Sequence, residues 1–314
     1  MYAQCQIGKF SIAGAQSASA AFAATANAAT VLLFDSRPPL SRTAMSCPSP
    51  PEIIDLIVDH LHNEPATLKA CCVVSTSWIQ RARKHLFAHV EFHTSRSDIE
   101  LWKKSFPDHS NSPAQHTRSL SIHGIPVVTA EDAGVGGWIR TFYNVVHLRL
   151  EDPDHENPGA SFVPFYGFSP SVRSLTLDSS SLEISDLICS FPLLEDLALI
   201  CLHPIIDADP DEWIAPSMSP KLTGSLYLKT RWEIQSVTRR LSALPGGLHF
   251  ARITVVFSIV DTDPIMDLVS SCYDTLESLN INGYLLLGTF SSVSVICQHL
   301  IAALGRRHTY DTFP

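Results

Sequence analysis

The sequence predicts an α/β chain in three parts: a low-complexity leader, a small bundle of three short helices, and a stack of strand-and-helix repeats built on a parallel sheet. Three observations carry this. Apolar residues follow helical spacing between Pro50 and Phe92. Beyond Phe92, short apolar pairs of the form L-x-L recur at steps of 22 to 29 residues. The first 46 residues show neither pattern.

A chain of 314 residues with 45% hydrophobic content is long enough for two or more units and a sizeable core. Its net charge of −9 argues against a nucleic-acid or anionic-membrane footprint, either of which needs a basic surface. The eight cysteines are scattered and form no C-x-x-C; the one close pair is the adjacent Cys71-Cys72. That spacing indicates neither a zinc site nor a disulfide scaffold. With no N-x-[ST] sequon present, the expectation is a reduced, intracellular environment, cytoplasm or nucleus.

Residues 1–46 are expected to be a disordered leader. From Ala13 to Thr30 the chain is almost only Ala, Ser, Gln, Thr and Asn, too poor in large apolar groups to offset the entropy of ordering. No 18-residue apolar run exists to cross a membrane. Scarce acids beside Ala and Ser resemble a mitochondrial presequence, although Lys9 is the one base before Arg37.

Residues 47–93 are expected to be the helical module. Pro50-Pro51 opens the first helix where a missing N–H is harmless, and Glu52 in its first turn suits the helix dipole. The helix runs to about His62, and Asn63-Glu64-Pro65 breaks it. A second, Ala66 to Val74, ends at Ser75-Thr76-Ser77; a third carries Trp78, Ile79, Ala82, Leu86 and Phe87. In the first helix, Ile53, Ile54, Leu56, Ile57, Val58 and Leu61 span an arc of about 200°, twice the stripe of an ordinary core-facing helix. One side can pack on the other two helices, and the remainder needs another apolar cover. Surplus apolar surface on a thin core marks a docking module.

A linker, residues 94–116, holds one predicted helix, Asp98 to Phe106, expected to cap the first repeat strand. The array occupies 117–314. Its pairs are Leu120/Ile122, Leu148/Leu150, Leu175/Leu177, Leu197/Leu199, Leu226/Leu228, Ile253/Val255 and Leu279/Ile281. Helical candidates lie between them at Ala130–Phe142, Ile184–Phe191, Trp232–Leu244 and Pro264–Leu276. Leucine-rich repeats have this period and one strand per repeat. Alternate side chains of each strand would point inward and each repeat would cover its neighbour. The Asn or Cys that closes many such repeats is mostly missing, so the expected array is an irregular, leucine-rich-repeat-like solenoid. The rival is an ordinary α/β sheet with crossover helices. No polar cap follows Leu285-Leu286-Leu287, which leaves a C-terminally truncated array open.

Enzyme chemistry is thinly represented. The glycines of Ala133-Gly134-Val135-Gly136-Gly137 lack the Lys-[ST] and preceding strand of a phosphate cradle. His85 and His89 have the i,i+4 spacing of a helical metal pair, but the next candidate ligand, Glu91, falls in a following strand; solvated histidines are the expectation. Asp207 to Glu212 reads as a solvated acidic loop. Neither G-x-S-x-G nor H-E-x-x-H occurs, which counts against a hydrolase on an α/β sheet. No catalytic residue, cofactor or metal is expected.

The helical module resembles an F-box, the segment that attaches a substrate receptor to the adaptor of an SCF-type ubiquitin ligase. The family opens with Leu-Pro-x-Glu and an apolar helix; here Ser49-Pro50-Pro51-Glu52 leads into Ile53, Ile54, Leu56, Ile57 and Leu61. The family's leucine, Leu-Val-Cys and Trp find counterparts in Leu68, Val73-Val74-Ser75 and Trp78, and residues 81–92 are similar to the ends of F-boxes in fungal receptors. Ser49 departs from the usual Leu and removes one apolar anchor. The resemblance implies that Pro50, Pro51, Ile53, Ile54, Ile57, Leu61, Leu68, Val74 and Trp78 meet the adaptor, and through it a cullin. The repeats would then hold an unnamed protein target. A repeat scaffold that binds proteins but has lost ligase coupling is the alternative.

Overall fold

The computed structural model describes residues 51–93, 96–108, 111–124, 137–151, 163–178, 184–202, 220–230, 234–257 and 263–283. The leader, Ser49, Pro50, the acidic loop at Asp207 and the C-terminal stretch after Gly283 lie outside them. The chain divides into two compact units, one made of residues up to Leu86 together with Ser97–Ser112, the other of Phe87–Arg96 and the residues from Pro113 onward.

The first unit is helical: α1 (Pro51–His60), α2 (Pro65–Val74), α3 (Thr76–Leu86) and α4 (Arg96–Ser105). The breaks fall where the sequence has its stops. The chain turns at Leu61–Asn63, Pro65 stands in the first turn of α2 where no N–H is needed, and a single extended residue, Ser75, separates α2 from α3. Val58, Leu68, Cys71 and Ala82 form the buried centre, with Ile54, Leu61, Cys72, Trp78 and Leu86 packed around it. The helix expected as a cap on the first repeat strand is α4, and it clusters with these helices rather than with the sheet. Trp102 in α4 and Phe106 just past its end hold their rings 4.8 Å apart between centroids, tilted by 56°.

The second unit is one eight-stranded sheet, every pair parallel, with strands in chain order from β1 to β8. The strands are β1 (His89–Phe92), β2 (Ser119–His123), β3 (His147–Glu151), β4 (Ser174–Asp178), β5 (Asp196–Leu202), β6 (Ser225–Thr230), β7 (Arg252–Phe257) and β8 (Ser278–Gly283). Every L-x-L pair falls in a strand, and the pairs stand opposite one another: Leu120 beside Leu148, Leu148 beside Leu175, Leu175 beside Leu197, and so on to Ile253 beside Leu279. Their side chains make two inner rows, each no more than 1% exposed from β2 through β7. A further buried layer precedes β2, β3, β4, β5 and β7. Three residues before the first member of a pair stand Thr117, Val145, Val172, Leu194 and Phe250, all buried, and Ala114, Phe142, Ser169 and Phe191 stand six before.

Backbone bonds repeat with the side chains. The N–H groups of Arg118 and Ser119 both donate to Ala88 O, those of Val146 and His147 to Arg118 O, and those of Arg173 and Ser174 to Val146 O, at 2.8 to 3.0 Å. The same step continues through Arg173 O, Glu195 O, Gly224 O and Ala251 O. One carbonyl per repeat therefore sets the register of the next.

Two elements differ from expectation. The sheet begins with His89–Phe92, inside the stretch assigned to the helical module; the strand expected at Glu91 is there, but it pairs with β2 and so opens the array. In the segment expected to be helical at 130–142, the described part is a 3₁₀ turn, Trp138–Thr141, entered from Gly137. The other three candidates are helices: α5 (Ile184–Cys189), α6 (Ile234–Ser242) and α7 (Asp263–Ser271).

Candidate functional site

On a helix turning about 100° per residue, the broad apolar arc of α1 divides in two. Ile54, Val58 and Leu61 cover about 60° and face the core, where Val58 is fully buried. Ile53, Leu56 and Ile57 cover about 100° on the adjoining side and are 50%, 59% and 46% exposed. At the end of α2, Val73 and Val74 are exposed still further. These five are joined by only two other exposed large hydrophobic side chains among the described residues, Tyr143 and Leu193. Among the described residues, no helix is long and apolar enough to cross a membrane.

The residues implied as an adaptor contact therefore separate. Ile53, Ile57 and Val74 are open to a partner, and Pro51 begins the helix that presents the first two. Ile54, Leu61 and Trp78 are half-buried against the core. Leu68 is 1% exposed and belongs to the interior, a correction to its assignment as a contact residue: α2 turns it toward Val58 and Ala82. Pro50 lies outside the described residues. Leu56 and Val73, which the implied contact set omits, belong to the exposed group. Their apolar character was visible; which way they point was not.

A polar clamp holds α1 to α3. Arg81 Nε donates to Asp59 Oδ1 at 2.6 Å, Arg81 Nη2 donates to Asp59 Oδ2, and Asp55 Oδ2 lies 4.0 Å from Arg81 Nη1. His85 Nε2 is 2.6 Å from the same Asp59 Oδ1. The Arg81 hydrogen bonds, followed by that of His85, hold the Asp59 carboxyl far below the usual carboxylate range, and Asp59 in turn raises Arg81. A two-pronged guanidinium–carboxylate pair fixes orientation as well as distance. The clamp thus sets the rotation of α1 that leaves Ile53, Leu56 and Ile57 outward.

His85 and His89 do not share a helix face, because α3 ends at Leu86 and His89 opens β1. His85 is committed to Asp59 rather than solvated. Burial raises the thiols of Cys72 and Cys272, which disfavours their thiolate forms, and neither they nor Cys71 and Cys189 form a disulfide.

The open face of the sheet is a second surface. Residues alternating with the buried rows stand on it, and their chemistry changes along the sheet. Glu91, His123, His147, Arg149 and Glu151 gather at β1–β3; Thr176, Ala198, Ile200 and Tyr227 occupy the middle; Thr254, Asn280 and Asn282 stand at the far end. A parallel sheet with strands in chain order makes this a single graded surface. Comparison with family models, with curated proteins and with solved structures finds no match for the chain.

Proposed function

We propose that the chain is a substrate-recognition subunit of an SCF-type cullin-RING ubiquitin ligase: an F-box-like module docks the ligase adaptor, and a leucine-rich-repeat-like array holds the target protein. The observation that carries the reading is the exposure of Ile53, Leu56 and Ile57 beside the inward row of Ile54, Val58 and Leu61. Covering what remains exposed of each is worth on the order of 1 kcal/mol. A helix that spends three large aliphatics on solvent while a clamp holds its rotation is built to be covered by a partner. Strands that follow chain order without reversal support a repeat array over a doubly wound sheet, whose order reverses at a switch point.

The role is proximity. The module would anchor the chain to the ligase, and the open face of the sheet would hold a target near the ubiquitin-loaded enzyme, raising effective concentration without a covalent step on this chain. The test is co-purification of the intact chain with the purified adaptor and cullin. Stable capture that is lost in Ile57→Asp supports the reading. An intact fold that ignores the adaptor, as Ser49 in place of Leu would favour, leaves the scaffold without ligase coupling.

A further inference from the structure

At the β1–β3 end of its open face the sheet carries a cluster whose chemistry goes beyond holding a protein target. Successive side chains of a strand point to opposite faces, so Glu91 and His93 leave the chain on the same side. Phe92, the last residue of β1, pairs with Ile122, so His93 comes opposite His123; their rings stack, 5.2 Å apart and 21° from parallel. His123 in turn pairs with Glu151 across β2 and β3. The strands thus bring together four residues that are up to sixty positions apart in the chain.

Both nitrogens of His123 are occupied. Nδ1 meets Glu151 Oε2, while Nε2 lies 2.7 Å from Glu91 Oε1. The other Glu151 oxygen is held by Arg149, which fixes the carboxylate that faces Nδ1. With Nδ1 directed at Glu151, the Nε2–Glu91 contact is satisfied either by a second ring proton or by a metal ion held by both groups. The stacked His93 ring beside them offers a metal one more ligand. The ligand atoms of Glu91, His93 and His123 all lie within 4.8 Å of one another.

We propose that Glu91, His93 and His123 bind a divalent transition-metal ion, Zn²⁺ by chemical class, with Glu151 as the outer carboxylate that orients His123. Two imidazoles and one carboxylate suit zinc, whereas calcium and magnesium take oxygen ligands in larger number. Tetrahedral zinc with ligands at about 2.0–2.1 Å places its donors roughly 3.3 Å apart, between the 2.7 Å and 4.8 Å separations present. Glu91 and His93 are exposed, so a fourth position is open to water. The Nδ1–carboxylate bond is the outer contact that zinc-bound histidines commonly make. Bound here, the ion fastens β1, a four-residue strand at the edge of the sheet, to β2.

The experiment uses the full chain, stripped with a chelator and titrated with Zn²⁺ by calorimetry, then with Co²⁺ by absorption. One equivalent binding at micromolar Kd or tighter is expected, with visible cobalt bands of nitrogen and oxygen ligation and no thiolate charge-transfer band. Glu91→Gln and His93→Gln, both at exposed positions, should each weaken binding at least tenfold. Glu151→Gln should weaken it about tenfold through loss of the outer contact, and His147→Ala should leave it unchanged. Zn²⁺ should raise the Tm of the parent by several degrees and that of a Glu91→Gln/His93→Gln double variant by none. Binding weaker than about 100 μM, affinity unchanged in both single variants, or a thiolate band for the first equivalent overturns the site.

Discussion

The helical unit and the sheet unit treat apolar surface in opposite ways. The sheet closes over its aliphatics: from Leu120 to Val255 the two inner rows are at most 1% exposed, with a further buried layer ahead of β2, β3, β4, β5 and β7. The helical unit buries Val58, Leu68, Cys71 and Ala82, yet leaves Ile53, Leu56, Ile57, Val73 and Val74 open. Both sequences are rich in Leu, Ile and Val, so composition does not separate them. The difference lies in whether a neighbouring repeat exists to cover each face. A strand in a stack has one on either side, while a lone helix in a thin bundle has only its partners' inner sides. Apolar surface in the sheet is spent on its own core, and in the helices part of it stays open to solvent.

The sharpest way to break that contrast is to charge one outward position. Ile57→Asp should lower adaptor affinity by two orders of magnitude or more, because an unpaired charge covered at an interface costs several kcal/mol. Its own Tm should stay within a few degrees, since the side chain is already half-exposed. A loss of fold in circular dichroism would show that the face belongs to the core. Leu56→Asp should act the same way, whereas Leu61→Asp should unfold the unit because Leu61 packs on its centre.

Within the sheet the cost should fall on folding. Leu177→Ala removes a fully buried side chain between β3 and β5 and should destabilise by about 2–5 kcal/mol through the cavity it leaves, measured by chemical denaturation, with adaptor binding unchanged. A smaller effect belongs to Gly224. A Cβ there would collide with the Asp196 carboxylate and come within 3.0 Å of Glu195 O. The same carboxylate accepts from Ser225 N and Oγ, each at 2.6 Å. Gly224→Ala should therefore cost about 1–3 kcal/mol, and Asp196→Ala added to it should relieve part of the strain.

The smallest effect comes from the clamp on α1. Asp59 is held below its ordinary value by Arg81 and then His85, so its contribution is present in full above the unfolded carboxylate pKa of about 3.9 and is lost as pH falls through the lower folded value. Asp59 is 35% exposed, and screening limits the pair to about 1 kcal/mol. Asp59→Asn should lower stability by that amount from pH 7 to about 5. The gap to the parent should narrow below about pH 4. A gap that persists unchanged at pH 2 would assign the loss to something other than the ion pair.

The sheet was legible in the chain because its signal is local. Leu175-Thr176-Leu177 and Leu197-Ala198-Leu199 announce strand, spacing and inward side within five residues, and recurrence at a near-constant step announces a repeat. The turn chemistry of Asn63-Glu64-Pro65 likewise marked the break between α1 and α2. A strand at Glu91 was expected, but its four residues hold no L-x-L pair to say that it opens the array. The helix at Arg96–Ser105 shows an apolar stripe that says it must be covered without saying by what, and it clusters with the helical unit.

Sequence alone determined that α1 carries more apolar arc than one neighbour can cover, and that alternating apolar strands recur at a near-constant step; the order β2 to β8 side by side came from the tertiary structure. Tertiary structure decided which part of the arc is spent on the core, because Ile54, Val58 and Leu61 win that side only through the placement of α2 and α3 and the Arg81–Asp59 clamp. It also decided the meeting of Glu91, His93, His123 and Glu151. A local pattern constrains residues a few positions apart. Groups on three different strands, separated by roughly one repeat each, become neighbours only when hydrogen-bond register brings their strands together.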